Sequence, residues 1–280
     1  MDIRPSPIAG RWYPGSVLHL QEMIERFLAD VVVDSPTGKI WGVVAPHAGF
    51  VYSGPVAAYA FQAVAKLRPE LVVVISPYHR THYAPLLTTS HDAYQTPLGE
   101  IPVAHDVLGL LDDAWNKQLG FGLTHVRCDQ EHAVEIELPF LQHVLGEFEL
   151  VPLMMVDQSV KAARVLGEVL AECVTGRDVL FVASSDLSHF YTQAEAAVFD
   201  HELLRRVAAF DPAAVIQAEQ EAAGFACGRG AMAVMLWATQ KLGANQANIL
   251  RYATSGDVSG DRQSVVGYGA AVVFEVMSDE

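Results

Sequence analysis

Cysteine is scarce in this sequence. Three cysteines, Cys128, Cys173 and Cys227, are spread over 280 residues, and none forms a Cys-x-x-Cys pair. An odd and widely spaced set of cysteines excludes a disulfide framework. We therefore expect reduced thiols and a cytoplasmic location.

Basic residues and long apolar runs are also lacking. The chain has 18 Lys and Arg against 33 Asp and Glu, a net charge of −15. Binding to nucleic-acid phosphates needs a cationic surface, so we predict no nucleic-acid partner. The start of the chain has no apolar signal segment. No apolar run approaches the roughly 18 residues that a membrane helix needs, so we predict no membrane association.

Hydrophobic residues are plentiful by contrast. They make up 51% of the chain, which is enough for a large core. Apolar, β-branched segments predict strands near residues 40–45, 71–75, 86–89, 148–156, 179–183, 249–253 and 265–276. Helical periodicity predicts helices over residues 18–27, 53–64, 106–115, 131–145, 160–173, 194–208, 212–222 and 229–242.

These elements predict one α/β domain over residues 1–280, a mixed central sheet with helices on both faces. Residues 40–76 form a β-α-β unit, which predicts parallel pairing of its strands. Residues 34–38 are typical of a turn, and residues 84–103 of a hairpin. Residues 4–14 hold three prolines and predict an extended arm. Pro139 predicts a kink or a junction of two helices.

Two histidines follow strand-terminating prolines. His47 comes directly after Pro46, and His79 lies two residues after Pro77. The carboxyl edge of such a sheet is where ligands bind, so we expect the two imidazoles side by side at that edge. Neutral imidazole is the commonest metal ligand among side chains. The alternative is a pair of surface loop histidines.

A third strand, residues 179–183, leads into Asp186 and His189. If a helical turn begins there, the two side chains share a face. Asp186 could orient an imidazole or only cap the turn. His189 could be a metal ligand, a general base or an acid.

Cys227 lies between Ala226 and Gly228, just before a predicted helix. A helix N-terminus lowers a thiol's pKa, and thiolate is the form that binds metal. Alternatively, Cys227 is a small packed residue. Glu131 and His132 are predicted to open a helix, where Glu131 meets the helix dipole and either residue could line a site.

Several stretches together resemble the Memo family, which includes protein B of the AmmeMemoRadiSam system. They are Arg4-Pro-Ser-Pro-Ile-Ala-Gly-Arg-Trp-Tyr-Pro14, Pro46-His-Ala-Gly-Phe-Val-Tyr-Ser-Gly54, Ser76-Pro-Tyr-His79, Thr96-Pro-Leu-Gly99, Glu131-His132 with Glu135 and Leu138-Pro139, Ser184-Ser-Asp-Leu-Ser-His189, and Cys227-Gly-Arg229. They occur in the family's order and cover nearly the whole chain.

The resemblance implies a fold like that of the class III extradiol ring-cleaving dioxygenases, with a non-haem metal. It makes His47, His79 and Cys227 the metal ligands, with Fe(II) as first choice and Cu or Zn as alternatives. It makes His189 the acid–base residue, with Asp186 beside it. The pocket lining implied at the same site comprises Tyr52, Tyr78, Glu131 and His132. Other AmmeMemoRadiSam proteins are the partners it suggests.

Cys227 stands where the dioxygenases have a glutamate. A thiolate is soft and oxidisable, so the resemblance does not carry ring cleavage over to this chain. Two functions remain open. One is a metal-dependent redox enzyme acting on a small substrate, and the other is a non-catalytic metal- or peptide-binding protein that handles metal or acts as a scaffold. A structural zinc site is disfavoured because such sites have four protein ligands.

Overall fold

A mixed β-sheet forms the centre of the molecule. The computed structural model describes residues 1–33 and 37–276, so part of the turn predicted at 34–38 lies outside the described residues. The strands are β1 Ile3–Arg4, β2 Lys39–Ala45, β3 Leu71–Pro77, β4 Leu86–Thr89, β5 Ala93–Thr96, β6 Gly99–Pro102, β7 Thr124–Val126, β8 Glu149–Met155, β9 Val179–Ser184, β10 His189–Tyr191, β11 Gln246–Thr254 and β12 Val265–Glu275.

The helices lie between these strands, as the sequence periodicity predicts. They are α1 Val17–Ala29, α2 Phe50–Val64, α3 His105–Leu119, α4 Leu138–Leu145, α5 Val160–Cys173, α6 Gln193–Ala208, α7 Pro212–Gln220, α8 Arg229–Leu242 and α9 Gly256–Ser259, with a short 3₁₀ helix at Glu135–Glu137. Within the described residues, every helix is too short or too polar to cross a membrane.

The main sheet has the order β10-β12-β2-β9-β3-β8-β4-β7, with β11 also paired to β12. Its central strands β2, β9, β3 and β8 run parallel, and β12 and β4 flank them in the antiparallel sense. A separate small sheet joins β1, β5 and β6, which includes the predicted hairpin. The predicted mixed sheet is therefore confirmed.

Helices cover both faces of this sheet, as predicted. The connection β2-α2-β3 and the connection β8-α5-β9 run across the sheet in opposite directions. Because such crossovers are almost always right-handed, opposite directions place their helices on opposite faces. On one face α2 contacts α1 and α4, and on the other α5 contacts α3 and α8. The parallel strands are buried on both sides, which explains their continuous apolar sequences.

The predicted direct pairing of β2 with β3 is wrong, although the two strands are parallel. β2 and β3 belong to one β-α-β unit, but β9 lies between them and pairs in parallel with both. The end of β9, at Ser184, therefore lies between the ends that precede His47 and His79. Sequence order could not reveal this insertion because β9 lies more than 100 residues further along the chain.

The start of α2 also differs from the prediction. The helix begins at Phe50, so Pro55 lies inside it and does not open it. The Phe50 amide donates to the Trp12 carbonyl at 2.9 Å, so the N-terminal arm satisfies a donor that the first helical turn leaves free. A capping partner 38 residues away leaves no local sequence signal.

Residues 131–134 are not helical, contrary to prediction. Ordered helix begins with the 3₁₀ turn at Glu135, and α4 follows with Pro139 in its first turn. Pro139 does mark a junction of two helices, as predicted. Side-chain contacts hold the start of the segment before it, and the His132 carbonyl accepts the Ile136 amide at 2.9 Å where the helical turns begin.

Arg4 anchors the N-terminal arm in the interior. Its side chain is 1% exposed and forms ion pairs with Asp129 at 2.8 Å and Glu135 at 2.7 Å. It also donates to the Glu131 carbonyl at 2.8 Å. Arg4 thereby joins the arm to the segment that carries Glu131 and His132.

We predict that R4A destabilises the protein by about 3–5 kcal/mol, because it leaves two buried carboxylates without their cation. Equilibrium unfolding in urea would measure this. R164A is the matched control, since Arg164 forms an exposed pair with Glu168 and should cost less than about 1 kcal/mol. Equal losses for both variants would contradict this account of the arm.

Candidate metal centre

Two imidazoles and a thiol meet at the carboxyl edge of the sheet. Nitrogen atoms of His47 and His79 and the sulfur of Cys227 all lie within 4.8 Å of one another. The distance from His47 Nε2 to Cys227 Sγ is 3.1 Å, although the residues are 180 positions apart. Metal–sulfur and metal–nitrogen bonds of about 2.3 and 2.0 Å in tetrahedral geometry would put such atoms about 3.5 Å apart. The three donors therefore have a spacing close to that of a metal ligand set.

Each donor follows from local structure. Pro46 ends β2 and leaves His47 on the rim, and Pro77 is the last residue of β3 two positions before His79. Cys227 directly precedes Gly228, the residue before α8. A Cβ at Gly228 would lie 2.5 Å from the Ser184 carbonyl oxygen. Only glycine therefore lets the Cys227 backbone approach the end of β9.

The second nitrogen of each imidazole is held by another side chain. His47 Nδ1 lies 2.9 Å from the Ser184 hydroxyl, and His79 Nδ1 lies 2.9 Å from a Glu131 carboxylate oxygen. Partners at Nδ1 leave Nε2 of each ring free to face the centre. Burial lowers the pKa of His47 well below its ordinary value, so this ring is neutral with a lone pair available.

Glu131 is a buried support for this centre. It accepts hydrogen bonds from the amide and ring of His79 and from the amides of His132 and Ala133. Burial opposes ionisation, but the His132 ring, whose Nδ1 lies 3.1 Å from the carboxylate, and the ring and amide of His79 hold the pKa of Glu131 well below its usual range. Glu131, His79 and His132 could also group around an ion. Four accepted hydrogen bonds already occupy the carboxylate, so we assign it to orienting His79.

His132 forms a wall of stacked rings with its neighbours. Its ring stacks on His79 at 4.7 Å between centroids and contacts Trp12 at 4.2 Å. The sequence did not predict that Trp12 lies at this site, because an extended arm carries no local signal of the surface on which it packs. Its place follows from the anchoring of the arm by Arg4.

Asp186 holds the turn that carries His47. Its carboxylate accepts the His47 amide at 2.8 Å, and its own amide donates to the Cys227 sulfur at 3.3 Å. Burial raises its pKa to about 7, against the lowering effect of the His47 amide. The helical turn expected between Asp186 and His189 is absent among the described residues, since His189 begins β10. The strand pairing to β12 replaces that turn.

His189 reaches the same cavity by a β-bulge. The register between β10 and β12 shifts between His189 and Tyr191, and Phe190 adopts a φ of 66° there. Such a bulge re-aims a side chain relative to regular pairing. Burial lowers the pKa of His189, so the ring is neutral near pH 7 and can accept a proton.

Cys227 differs from the expected thiolate. It does precede the first turn of α8, but burial raises its pKa, and the nearby Asp186 carboxylate adds to that rise. Loss of hydration outweighs the helix dipole here, because the dipole contributes at most about 2 kcal/mol. In the metal-free protein Cys227 is therefore a neutral thiol beside the lone pair of His47 Nε2.

An open cavity of about 440 Å³ lies over the centre. Its lining is Arg11, Trp12, His47, Ala48, Gly49, Tyr52, His79, His132, Asp186 and His189. Of the predicted lining residues, Glu131 lies behind His79, and Tyr78 is outside the lining with its ring against His82. A larger groove of about 750 Å³ lies elsewhere, but no histidine or cysteine lines it.

Comparison with known proteins gives consistent similarities. The sequence profile described as Memo-like protein matches residues 4–272. A MEMO1 family protein of Nitrosopumilus maritimus is 34% identical over 279 residues, covering 96% of this chain and 98% of the relative. One of Thermotoga neapolitana is 35% identical over 282 residues, covering 97% and 99%.

A solved structure shares the fold. The crystal structure of an uncharacterized protein from Escherichia coli K12 superposes with a TM-score of 0.54 and 13% sequence identity. It covers 84% of this chain and 100% of that one. At this identity the likeness concerns the fold alone.

Thiol reactivity tests the environment of Cys227. In metal-free protein at pH 8, iodoacetamide should label exposed Cys128 roughly tenfold or more faster than Cys227, because only thiolate reacts and burial disfavours it. Peptide-resolved mass spectrometry would give both rates. Faster labelling of Cys227 than of Cys128 would mean that the helix dipole lowers the pKa of Cys227 by more than burial raises it.

The buried Asp186 should make stability depend on pH. Its folded pKa of about 7 exceeds the ordinary 3.8, so the folded state binds the proton more tightly and loses stability as pH rises between these values. We predict that metal-free D186N gains up to about 4 kcal/mol over the wild type between pH 4 and 7. Urea unfolding across that range would measure the difference, and a constant difference would contradict the assignment.

Proposed function

The chain belongs to the Memo family, and we propose that it is a redox enzyme that uses one non-haem metal ion on an unidentified small substrate. The ion is Fe(II) in this proposal, with copper or zinc as alternatives. His47, His79 and Cys227 would hold it. The observation that carries the proposal is the convergence of three donor atoms within 4.8 Å beneath an open cavity.

The donor set suits a transition metal. Two neutral imidazoles and one thiolate bind iron, copper and zinc in preference to Mg²⁺ or Ca²⁺, which favour oxygen ligands. Three protein ligands leave coordination positions for a substrate, as in catalytic sites, whereas structural zinc sites use four. A metal held here would supply Lewis acidity and, for iron or copper, electron transfer.

The residues around the donors have separate roles in this proposal. His189 is neutral and faces the cavity, so it can take a proton from a bound substrate. Asp186 fixes the His47 turn and, with a pKa of about 7, can exchange a proton near neutral pH. Trp12 and His132 form an aromatic wall of the cavity against which a substrate can pack.

The thiol proton gives the first test. Because burial keeps Cys227 protonated, binding of Zn(II) or Fe(II) at pH 7 should release about one proton per ion, and affinity should fall as pH falls. Calorimetry under anaerobic conditions, in buffers of different ionisation enthalpy, would count the protons. We expect one ion per chain.

Ligand variants give the second test. H47A, H79A and C227S should each weaken Zn(II) binding by more than the roughly 10–100-fold that loss of an outer-shell partner causes. H19A is the control, because His19 is exposed on α1 and does not line the cavity. Unchanged affinity in all three ligand variants would end the metal proposal.

Catalysis is tested separately from binding. Iron-loaded wild type should accelerate the reduction of O₂ to H₂O₂ by ascorbate above the rate of the same concentration of free Fe(II), and C227S should lose this. Oxygen uptake and peroxide assays would follow it. Tight binding of metal without any turnover would instead favour the metal-handling alternative.

A further inference from the structure

Ser184 lies at a junction of three buried polar groups. Its hydroxyl oxygen is 2.9 Å from His47 Nδ1, 2.7 Å from the Ala133 carbonyl oxygen and 2.7 Å from a carboxyl oxygen of Glu137. Ser184 is fully buried, and His47 and Glu137 are each 1% exposed. Bulk water therefore does not reach these groups, and the three short contacts of the Ser184 oxygen must be explained by the protons that these groups carry.

A serine hydroxyl has one proton to donate and two lone pairs that accept. The Ala133 carbonyl can only accept, so the Ser184 proton points to it. The other two neighbours must then each donate to the Ser184 oxygen. His47 must carry its proton on Nδ1, and Glu137 must be a carboxylic acid, because a carboxylate would place two proton-free oxygens 2.7 Å apart.

We propose that Glu137 is a neutral carboxylic acid that acts through Ser184 to position His47 and to fix its Nδ1–H tautomer, so that the Nε2 lone pair faces Cys227. Glu137 is a positioning residue in this proposal, since it touches Ser184 and not the metal ligands. The role in metal binding rests on the proposed function, whereas the protonation pattern does not.

The surroundings of Glu137 support a neutral acid. Within the described residues no Lys or Arg forms an ion pair with it, whereas Glu135, two positions earlier, pairs with Arg4. Glu131 accepts from four N–H donors, whereas Glu137 has only the Ser184 hydroxyl as a side-chain partner in the part of the chain that the structure describes. Burial raises the pKa of Glu137 well above its ordinary value, in agreement with the hydrogen-bond geometry.

The two imidazoles would thus be held differently. His79 donates to an ionised carboxylate, which makes its Nε2 a stronger donor to a metal. His47 donates to a neutral hydroxyl, so its tautomer is set without bringing a second negative charge into a site that must also accept a thiolate. A neutral hydrogen-bond partner for His47 therefore limits the negative charge that is buried at the site.

Metal-free wild-type protein provides the direct test. Long-range ¹H–¹⁵N NMR of the imidazoles should show His47 with its proton on Nδ1. Infrared difference spectra between wild type and E137Q should contain the carbonyl stretch of a protonated carboxylic acid at neutral pH. A His47 proton on Nε2, or the absence of that acid band, would overturn the proposal.

Variants connect the pattern to metal affinity. S184A and E137A should weaken Zn(II) binding by about 10–100-fold, measured by competition with a chelator. E137Q should stay within about threefold of wild type, because its amide N–H can donate to Ser184 in place of the acid. S76A is the matched control, since Ser76 is also a buried serine at a strand end but donates to the Pro77 carbonyl.

The outcomes separate the two proposals. If E137Q weakens Zn(II) binding as much as E137A, Glu137 is not a simple donor to Ser184 and the inference fails. If wild type binds no Zn(II), the metal proposal fails, and the His47 tautomer and the acid band still decide the role of Glu137. Circular dichroism of each variant would verify folding, and E137Q and the wild-type spectra remain decisive if E137A does not fold.

Discussion

Burial of four carboxyl groups within nine residues organises the site. Asp129, Glu131, Glu135 and Glu137 are each less than a tenth exposed. A buried carboxylate without a partner is costly, so each must be satisfied or neutralised. Asp129 and Glu135 form ion pairs with Arg4 and so anchor the N-terminal arm. Glu131 forms a hydrogen bond with the His79 ring. The arm, the stacked rings and the orientation of the His79 imidazole therefore all depend on one short segment between β7 and α4.

The carboxyl edge of the sheet supplies the other half of the site. β2, β9 and β3 are parallel neighbours, so the residues after them emerge at one rim. The end of β9 lies between the loops that carry His47 and His79. The Ser184 hydroxyl contacts the His47 ring, and the Asp186 carboxylate accepts the His47 amide. Gly228 lets the Cys227 loop reach this point from α8. The centre is thus built where the fold already concentrates strand ends, and its polar groups are secured by strand-end residues.

Neither membership in the Memo family nor the fold shared with the Escherichia coli structure identifies a reaction. The chemistry is therefore inferred from the donor atoms of the site. Within the proposed site, the Cys227 thiol is the soft and oxidisable donor. A buried thiol that loses its proton only when a metal arrives would couple binding to pH and keep the free protein unreactive. In the proposed metal centre, that property would protect Cys227 from oxidation while no metal is bound.

Local sequence patterns determined most of the elements and the residues of the rim. Helix α5 and strands β2, β9 and β12 follow from apolar periodicity, and the prolines at 46 and 77 mark the strand ends near His47 and His79. These signals are local because propensity and periodicity act over a few residues. The insertion of β9 between β2 and β3, the cap that Trp12 gives α2 and the non-helical segment at Glu131 come from partners 38 or more residues away. The protonation of Cys227 and Glu137 was decided only by tertiary structure, since a pKa depends on the water that packing removes and on the partners it brings near.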